Sequence, residues 1–225
     1  MQWSQDEGAN MFEKIVYAGV VFMGFSAIMN PFSGVSIFLT LTANEDEQNA
    51  KKIARISTTT AFIAVVVFAV AGHLLLDLFG VSFTALRLAG GILVALIGYE
   101  MLQGKQSLIN NPSKKVIKKT MKSEGSVAVT PLGIPLLAGP GVIITAMNFS
   151  TGGIINLFVT IFAFALLCVI TYLFFIWGKH IKEIIGLSAL KSLTRMMGLI
   201  LIVIGTQMFI EGVYGAVQEF SKINY

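Results

Sequence analysis

The sequence predicts an all-α membrane protein with six transmembrane spans, arranged as two inverted three-span repeats with the first and fourth spans broken. Three observations carry that expectation: apolar runs long enough to cross a bilayer, basic residues confined to alternate connections, and a self-match at one constant offset. The 225 residues are 55% hydrophobic and only 12% charged, with a mean hydropathy of +0.79. A soluble domain of this length carries about a quarter charged residues, so lipid must cover what polar side chains do not.

A helix needs about 20 mostly apolar residues to cross the roughly 30 Å hydrocarbon layer. Six stretches qualify: Phe12 to Leu41, Thr58 to Phe79, Phe83 to Leu102, Val127 to Phe149, Ile154 to Trp177 and Leu193 to Val217. The first is too long for one upright span and is interrupted by Asn30-Pro31, and Pro135 and Pro140 interrupt the fourth. The first ten residues hold Asp6 and Glu7 but no Lys or Arg, so they lack the basic start of a cleavable signal and the first run is expected to stay.

Lysine and arginine follow the first span (Lys51, Lys52, Arg55), the third (Lys105, Lys114, Lys115, Lys118, Lys119, Lys122) and the fifth (Lys179, Lys182, Lys191), and are missing after the second and fourth. The positive-inside rule makes the basic connections cytoplasmic, which puts both termini outside and requires an even number of spans. The net charge of +4 is thereby explained by orientation, and no nucleic-acid partner is expected. The basic linker 105–126 separates a first three-span unit, 1–104, from a second, 127–225.

Self-comparison supports duplication. The run Gly91-Ile92-Leu93-Val94-Ala95-Leu96-Ile97-Gly98 falls on Gly198-Leu199-Ile200-Leu201-Ile202-Val203-Ile204-Gly205 at an offset of 107 residues (198 − 91), and the same offset carries Gly34-Val35 onto Gly141-Val142. A unit of three spans enters the membrane from opposite sides in its two copies, the inverted arrangement of many secondary transporters, which bind substrate on discontinuous helices between the repeats. The glycine-rich third and sixth spans also suit close helix packing, within one protomer or between protomers of a homo-oligomer.

The breaks carry the chemistry. Proline removes a donor and frees upstream carbonyls, and glycine lets backbone approach a ligand. Such backbone at bilayer depth is tolerated only where it is buried in protein or faces water, so both breaks are expected to line a cavity. Half-helix N-termini there suit a carboxylate, and freed carbonyls suit an ammonium. Together they fit a small zwitterion such as glycine or alanine, or an ion. The expected substrate residues are Asn30, Pro31, Ser33, Gly34 and Ser36 at the first break; Gly139, Pro140, Gly141, Val142, Thr145 and Asn148 at the second; and Thr206 from the last span, with Thr40 and Gln207 nearby. Asn30 also suits a helix cap before a proline.

Ionisable residues within spans are costly and default to functional candidates. Glu100 and the His73 and Asp77 pair are the coupling candidates, for a proton or sodium; Arg87 and Glu211 lie toward outer ends, where Arg87 can snorkel to headgroups. Only two histidines, His73 and His180, occur, with no His-Glu-x-x-His or Gly-x-Ser-x-Gly motif. An enzyme is therefore not expected, nor a metal or other cofactor. Cys168 has no partner for a disulfide and reads as core or lipid-facing filler.

The runs Asn30-Pro31-Phe32-Ser33-Gly34, Pro135-Leu136-Leu137-Ala138-Gly139-Pro140-Gly141 and Arg87-Leu88-Ala89-Gly90-Gly91-Ile92 resemble the MarC family of multi-pass bacterial and archaeal membrane proteins. That resemblance spans essentially the whole chain. It implies six spans in the cell (inner) membrane and, for SnatA-like members, ion-gradient-driven transport of glycine, alanine and similar amino acids. A channel or an accessory membrane subunit built on the same broken helices is the alternative.

Overall fold

The computed structural model describes residues 3–43, 45–104 and 137–223, in places by backbone alone (3–12, 73, 75, 187 and 222–223). The linker 105–126 and the first part of the expected fourth span, up to residue 136, lie outside them. The described residues form seven helices and no strand: α1 (Trp3–Met29), α2 (Pro31–Leu41), α3 (Glu47–Leu78), α4 (Phe83–Leu102), α5 (Pro140–Phe149), α6 (Ile154–Ile176) and α7 (Gly178–Ile223). Among the described residues, five segments are long and apolar enough to cross a membrane: Glu13–Leu41, Glu47–Gly72, Phe83–Leu102, Ile154–Ile176 and Ser188–Ser221; Pro140–Phe149 is a shorter apolar helix.

The chain turns where backbone chemistry dictates. Between α3 and α4, Gly80 takes φ 63°, and Ser82 caps α4 by accepting from the Ala85 N–H at 3.1 Å. Gly152 and Gly153 reverse the chain between α5 and α6 with φ of 90° and 123°. Gly186, at φ 77° and ψ 155°, breaks α7 into a short piece and a long one. The expected sixth span therefore belongs to the helix that runs on from this break, and its apolar stretch starts at Ser188, five residues before the expected Leu193. Likewise α3 begins at Glu47, eleven residues before the expected Thr58, because its first turns are polar and helical together.

Helices α4 and α7 share the most extensive contact, and they run antiparallel. A Cβ built on Gly91 would stand 2.6 Å from the carbonyl oxygen of Gly205, and one on Gly98 would stand 2.6 Å from that of Gly198; the reverse contacts are 2.6 Å each. Such backbone proximity is open only to glycine, and it supplies van der Waals contact where lipid removes the hydrophobic drive between helices. The two glycine-rich helices thus pack within one chain. Val94 and Leu201, fully buried, sit between the two glycine contacts.

Around this seam α1 runs parallel to α6, with Met29 against Thr171, and α3 packs on α6 and α5. Rings fill the centre: Phe25 meets Phe164 at 5.0 Å and Phe149 at 5.8 Å edge to face, and Phe38 stacks on Phe175 at 4.5 Å. Cys168 is buried in this core. Lys51, Arg55 and Lys179 gather at one end of the bundle, with Gly80 and Gly153 at the other.

Candidate functional site

Asn30 is the single non-glycine residue with positive φ among the described residues, at φ 44° and ψ 75°. The left-handed region costs most L-residues about 1–2 kcal/mol, and asparagine tolerates it best through local side-chain hydrogen bonds. Here Asn30 Oδ1 accepts from the Ser33 N–H at 3.3 Å, and its carbonyl accepts from the Ser33 hydroxyl at 3.2 Å and the Gly34 N–H at 3.1 Å. Pro31 then occupies the first helical position, where its missing N–H costs nothing to α2 but leaves the Ala27 carbonyl without its usual donor. The side chain of Asn30 is 3% exposed, and its Nδ2 has no hydrogen-bond partner.

The start of α5 is built differently. Gly139 caps it at φ −65° and ψ 170° with no side-chain hydrogen bond, and Pro140 follows. The N–H groups of Gly141 and Val142 consequently have no acceptor within the helix. The two breaks come level because Ile28 lies beside Gly141: a Cβ there would be 3.7 Å from Ile28 Cγ2 and 2.9 Å from Ile97 Cδ1. That level is nearer the Lys51 end than the bundle centre, since Thr171 is five residues, about 8 Å at 1.5 Å each, from the end of α6.

Among the described residues, four side-chain atoms on or near these segments are buried without a partner: Ser26 Oγ, Asn30 Nδ2, Glu100 Oε2 and Thr145 Oγ1. Ser26 lies one turn before Asn30 on the same face of α1. Thr145 lies one turn after Gly141, fully buried. Glu100 follows Ile97 along the face of α4 that meets α5. An unmade hydrogen bond of this kind costs about 1–3 kcal/mol per group. Ser26 escaped the sequence reading, although its position four residues before Asn30 is the signal that finds it.

Several expected residues stand elsewhere. Thr206 is exposed, and its hydroxyl donates to its own helix at the Ile202 carbonyl, 2.7 Å away. Thr40 is likewise exposed and donates to the Ser36 carbonyl, while Pro140 faces outward. Ser33 uses its hydroxyl within the Asn30 cap. The two described grooves also lie away from the breaks, one lined by Arg55 and Tyr172 and the other by Phe22 and Phe162. Asp77 is exposed, and the His73 side chain lies outside the described residues.

Asn148 serves a second polar cluster at the other end of α5. Arg87 Nε donates to Asn148 Oδ1 at 2.8 Å, and an Arg87 nitrogen lies 3.6 Å from Glu211 Oε2. Glu211 also accepts from Gln207 at 3.1 Å, and the guanidinium lies 4.8 Å over the Phe83 ring. Arg87 therefore turns inward to join α4, α5 and α7 rather than snorkelling outward. Glu211 and Asn148 provide the acceptors that a lone arginine lacks.

The chain as a whole has counterparts in known proteins. Residues 15–217 match the family described as MarC family integral membrane protein. The chain is 37% identical over 207 residues to the UPF0056 membrane protein YvbG of Bacillus subtilis, covering 91% of this chain and 96% of that one. It is 38% identical over 209 residues to a UPF0056 membrane protein of Pyrococcus horikoshii, with 92% and 98% covered. The UPF0056 inner membrane protein MarC of Escherichia coli is 30% identical over 205 residues, with 86% and 92% covered. No solved structure matches the chain. Matched along nearly its full length by that family, the chain is a member of the MarC family of integral membrane proteins.

Proposed function

We propose that this protein is a secondary transporter of small neutral amino acids, glycine and alanine foremost, working by alternating access between two inverted three-span repeats. The observation that carries the reading is the buried, unpartnered Asn30 amide beside the uncapped start of α5. Donors from Asn30 Nδ2, Gly141 and Val142 suit a carboxylate. The Ala27 carbonyl with Thr145 Oγ1 and Ser26 Oγ suits an ammonium.

The repeat reading is supported by the glycine seam. Gly91 touches Gly205 and Gly98 touches Gly198, and an offset of 107 converts Gly91 to Gly198 and Gly98 to Gly205. Each copy therefore meets the other through the same pair of positions, the self-complementary pattern of a two-fold axis. The basic end is read as cytoplasmic, with both termini outside. Glu100, whose Oε2 is buried without a partner, is the coupling candidate for a proton or sodium gradient.

The test is counterflow of radiolabelled glycine into proteoliposomes preloaded with unlabelled glycine, alanine or buffer. Accumulation confined to amino-acid-loaded vesicles is expected of a carrier. Equal uptake into all three would favour a channel and overturn the proposal, and no uptake by folded protein would remove glycine as substrate.

A further inference from the structure

The surface between α3 and α6 holds a groove of about 500 Å³ at the Lys51 end, separate from the breaks. Arg55, Thr59 and Tyr172 line its polar part, and Phe62, Ala165 and Val169 its apolar part. The two helices run antiparallel, so the seven-residue steps from Arg55 to Phe62 and from Tyr172 back to Ala165 each give about 10 Å of depth. The floor is made by Thr58 and Cys168, both buried. Thr58 spends its hydroxyl on the Ala54 and Arg55 carbonyls, so the floor offers a ligand no donor.

Arg55 is the one charged residue of the lining, and no carboxylate lies within ion-pair distance of it among the described residues. Its neighbour Lys51 is already matched with Glu47 at 2.6 Å. Trp177, 57% exposed and five residues beyond Tyr172, adds to an aromatic level typical of the membrane interface. An unmatched guanidinium with hydroxyl neighbours at that level, opening into an apolar trough, complements a phosphodiester followed by an acyl chain. A zwitterionic lipid brings its own ammonium and leaves the arginine charge uncompensated. An anionic lipid neutralises it.

We propose that this groove is a binding site for an anionic phospholipid, with Arg55, Thr59 and Tyr172 on the phosphate and one acyl chain along Phe62, Ala165 and Val169. The site does not depend on what the protein transports. It ties α3 of the first half to α6 of the second through a lipid.

Native mass spectrometry of the full chain, released from detergent with equal amounts of phosphatidylglycerol, phosphatidylethanolamine or phosphatidylcholine, tests it. Phosphatidylglycerol is expected to be retained preferentially, and Arg55→Gln to cut that retention about fivefold, the scale of one basic residue at an anionic surface. Ala165→Trp, which fills the trough, should remove the retained lipid while the melting temperature without lipid stays near that of the parent. Lys52→Gln, an exposed neighbouring charge outside the lining, should change nothing. Cys168, the chain's one thiol, supplies an independent readout: phosphatidylglycerol should slow its alkylation by an apolar maleimide more than phosphatidylcholine does. Equal retention of the three lipids overturns the proposal, and so does a Lys52→Gln loss as large as that of Arg55→Gln, which marks diffuse attraction.

Discussion

At Asn30 the break is closed by a side chain, whereas at Gly139 it is left to the backbone. The first uses a left-handed asparagine whose oxygen is consumed by the cap and whose amide is left over. The second uses an extended glycine, with no cap and two N–H groups to spare. The contrast teaches that two proline-led helix starts can divide the donor work differently between side chain and main chain. It also separates their vulnerabilities, because Asn30 can be altered atom by atom and the start of α5 only through shape.

The largest expected effect removes the frame that holds both breaks level. Gly205→Val puts carbon 2.5 Å from the Ala95 nitrogen and 2.6 Å from the Gly91 oxygen, backbone atoms that cannot yield. A destabilisation of about 3 kcal/mol or more is expected, read as lost monodisperse protein, while Gly19→Val, with nothing within 4 Å, should be normal. Next comes Asn30→Gly. Glycine accepts the left-handed backbone and costs a cap only a few tenths of a kcal/mol, so melting should barely move. Loss of one hydrogen bond to a charged group, about 1.5–3 kcal/mol, should lower glycine uptake at least about tenfold. Asn30→Ala adds the left-handed penalty and the full cap loss, about 2 kcal/mol together, so it should also melt earlier. Identical uptake and melting for the two variants would reduce Asn30 to a cap.

Gly141→Leu tests the other break by shape, since its side chain must displace Ile97 and Ile28. An overpacking cost of about 1–3 kcal/mol and loss of glycine uptake are expected, with the protein still folded. Arg87→Gln leaves both breaks intact. It should cost up to about 1 kcal/mol through the partly exposed Glu211 pair and leave the KM for glycine unchanged, and a raised KM would extend the site to Asn148. The smallest effect belongs to Gly34→Ala. Its Cβ would stand 3.3 Å from the edge of the Phe175 ring, and the helix gains about what the contact costs, leaving melting within about 0.5 kcal/mol.

Hydropathy made the third and fifth spans legible almost to the residue, because both are apolar between sharp turns at Ser82 and Gly153. It misjudged α3, where polar first turns hide a helix that starts at Glu47. Asn30-Pro31 was readable as a cap because asparagine and proline each have one strong role at a helix start. Which way a residue faces was not readable in the last span. A helix apolar all round gives no face, and Thr206 was expected inside. The glycines held the answer: Gly198, Leu201, Gly205 and Met208 make the buried stripe of α7, and Thr206 stands one residue off it. The Arg87 network joins residues 61 and 124 positions apart (148 − 87 and 211 − 87), beyond the reach of local pattern.

The glycine seam has a mechanical corollary. Side chains let packed helices slip by changing rotamers, but Gly91, Gly98, Gly198 and Gly205 have none, and their backbones already touch. Sliding α4 along α7 would drive the glycine backbones against neighbours that carry side chains, Met101, Leu201 and Phe209 among them. The contact thereby fixes the register of α4 against α7 without any rotamer that could relax it.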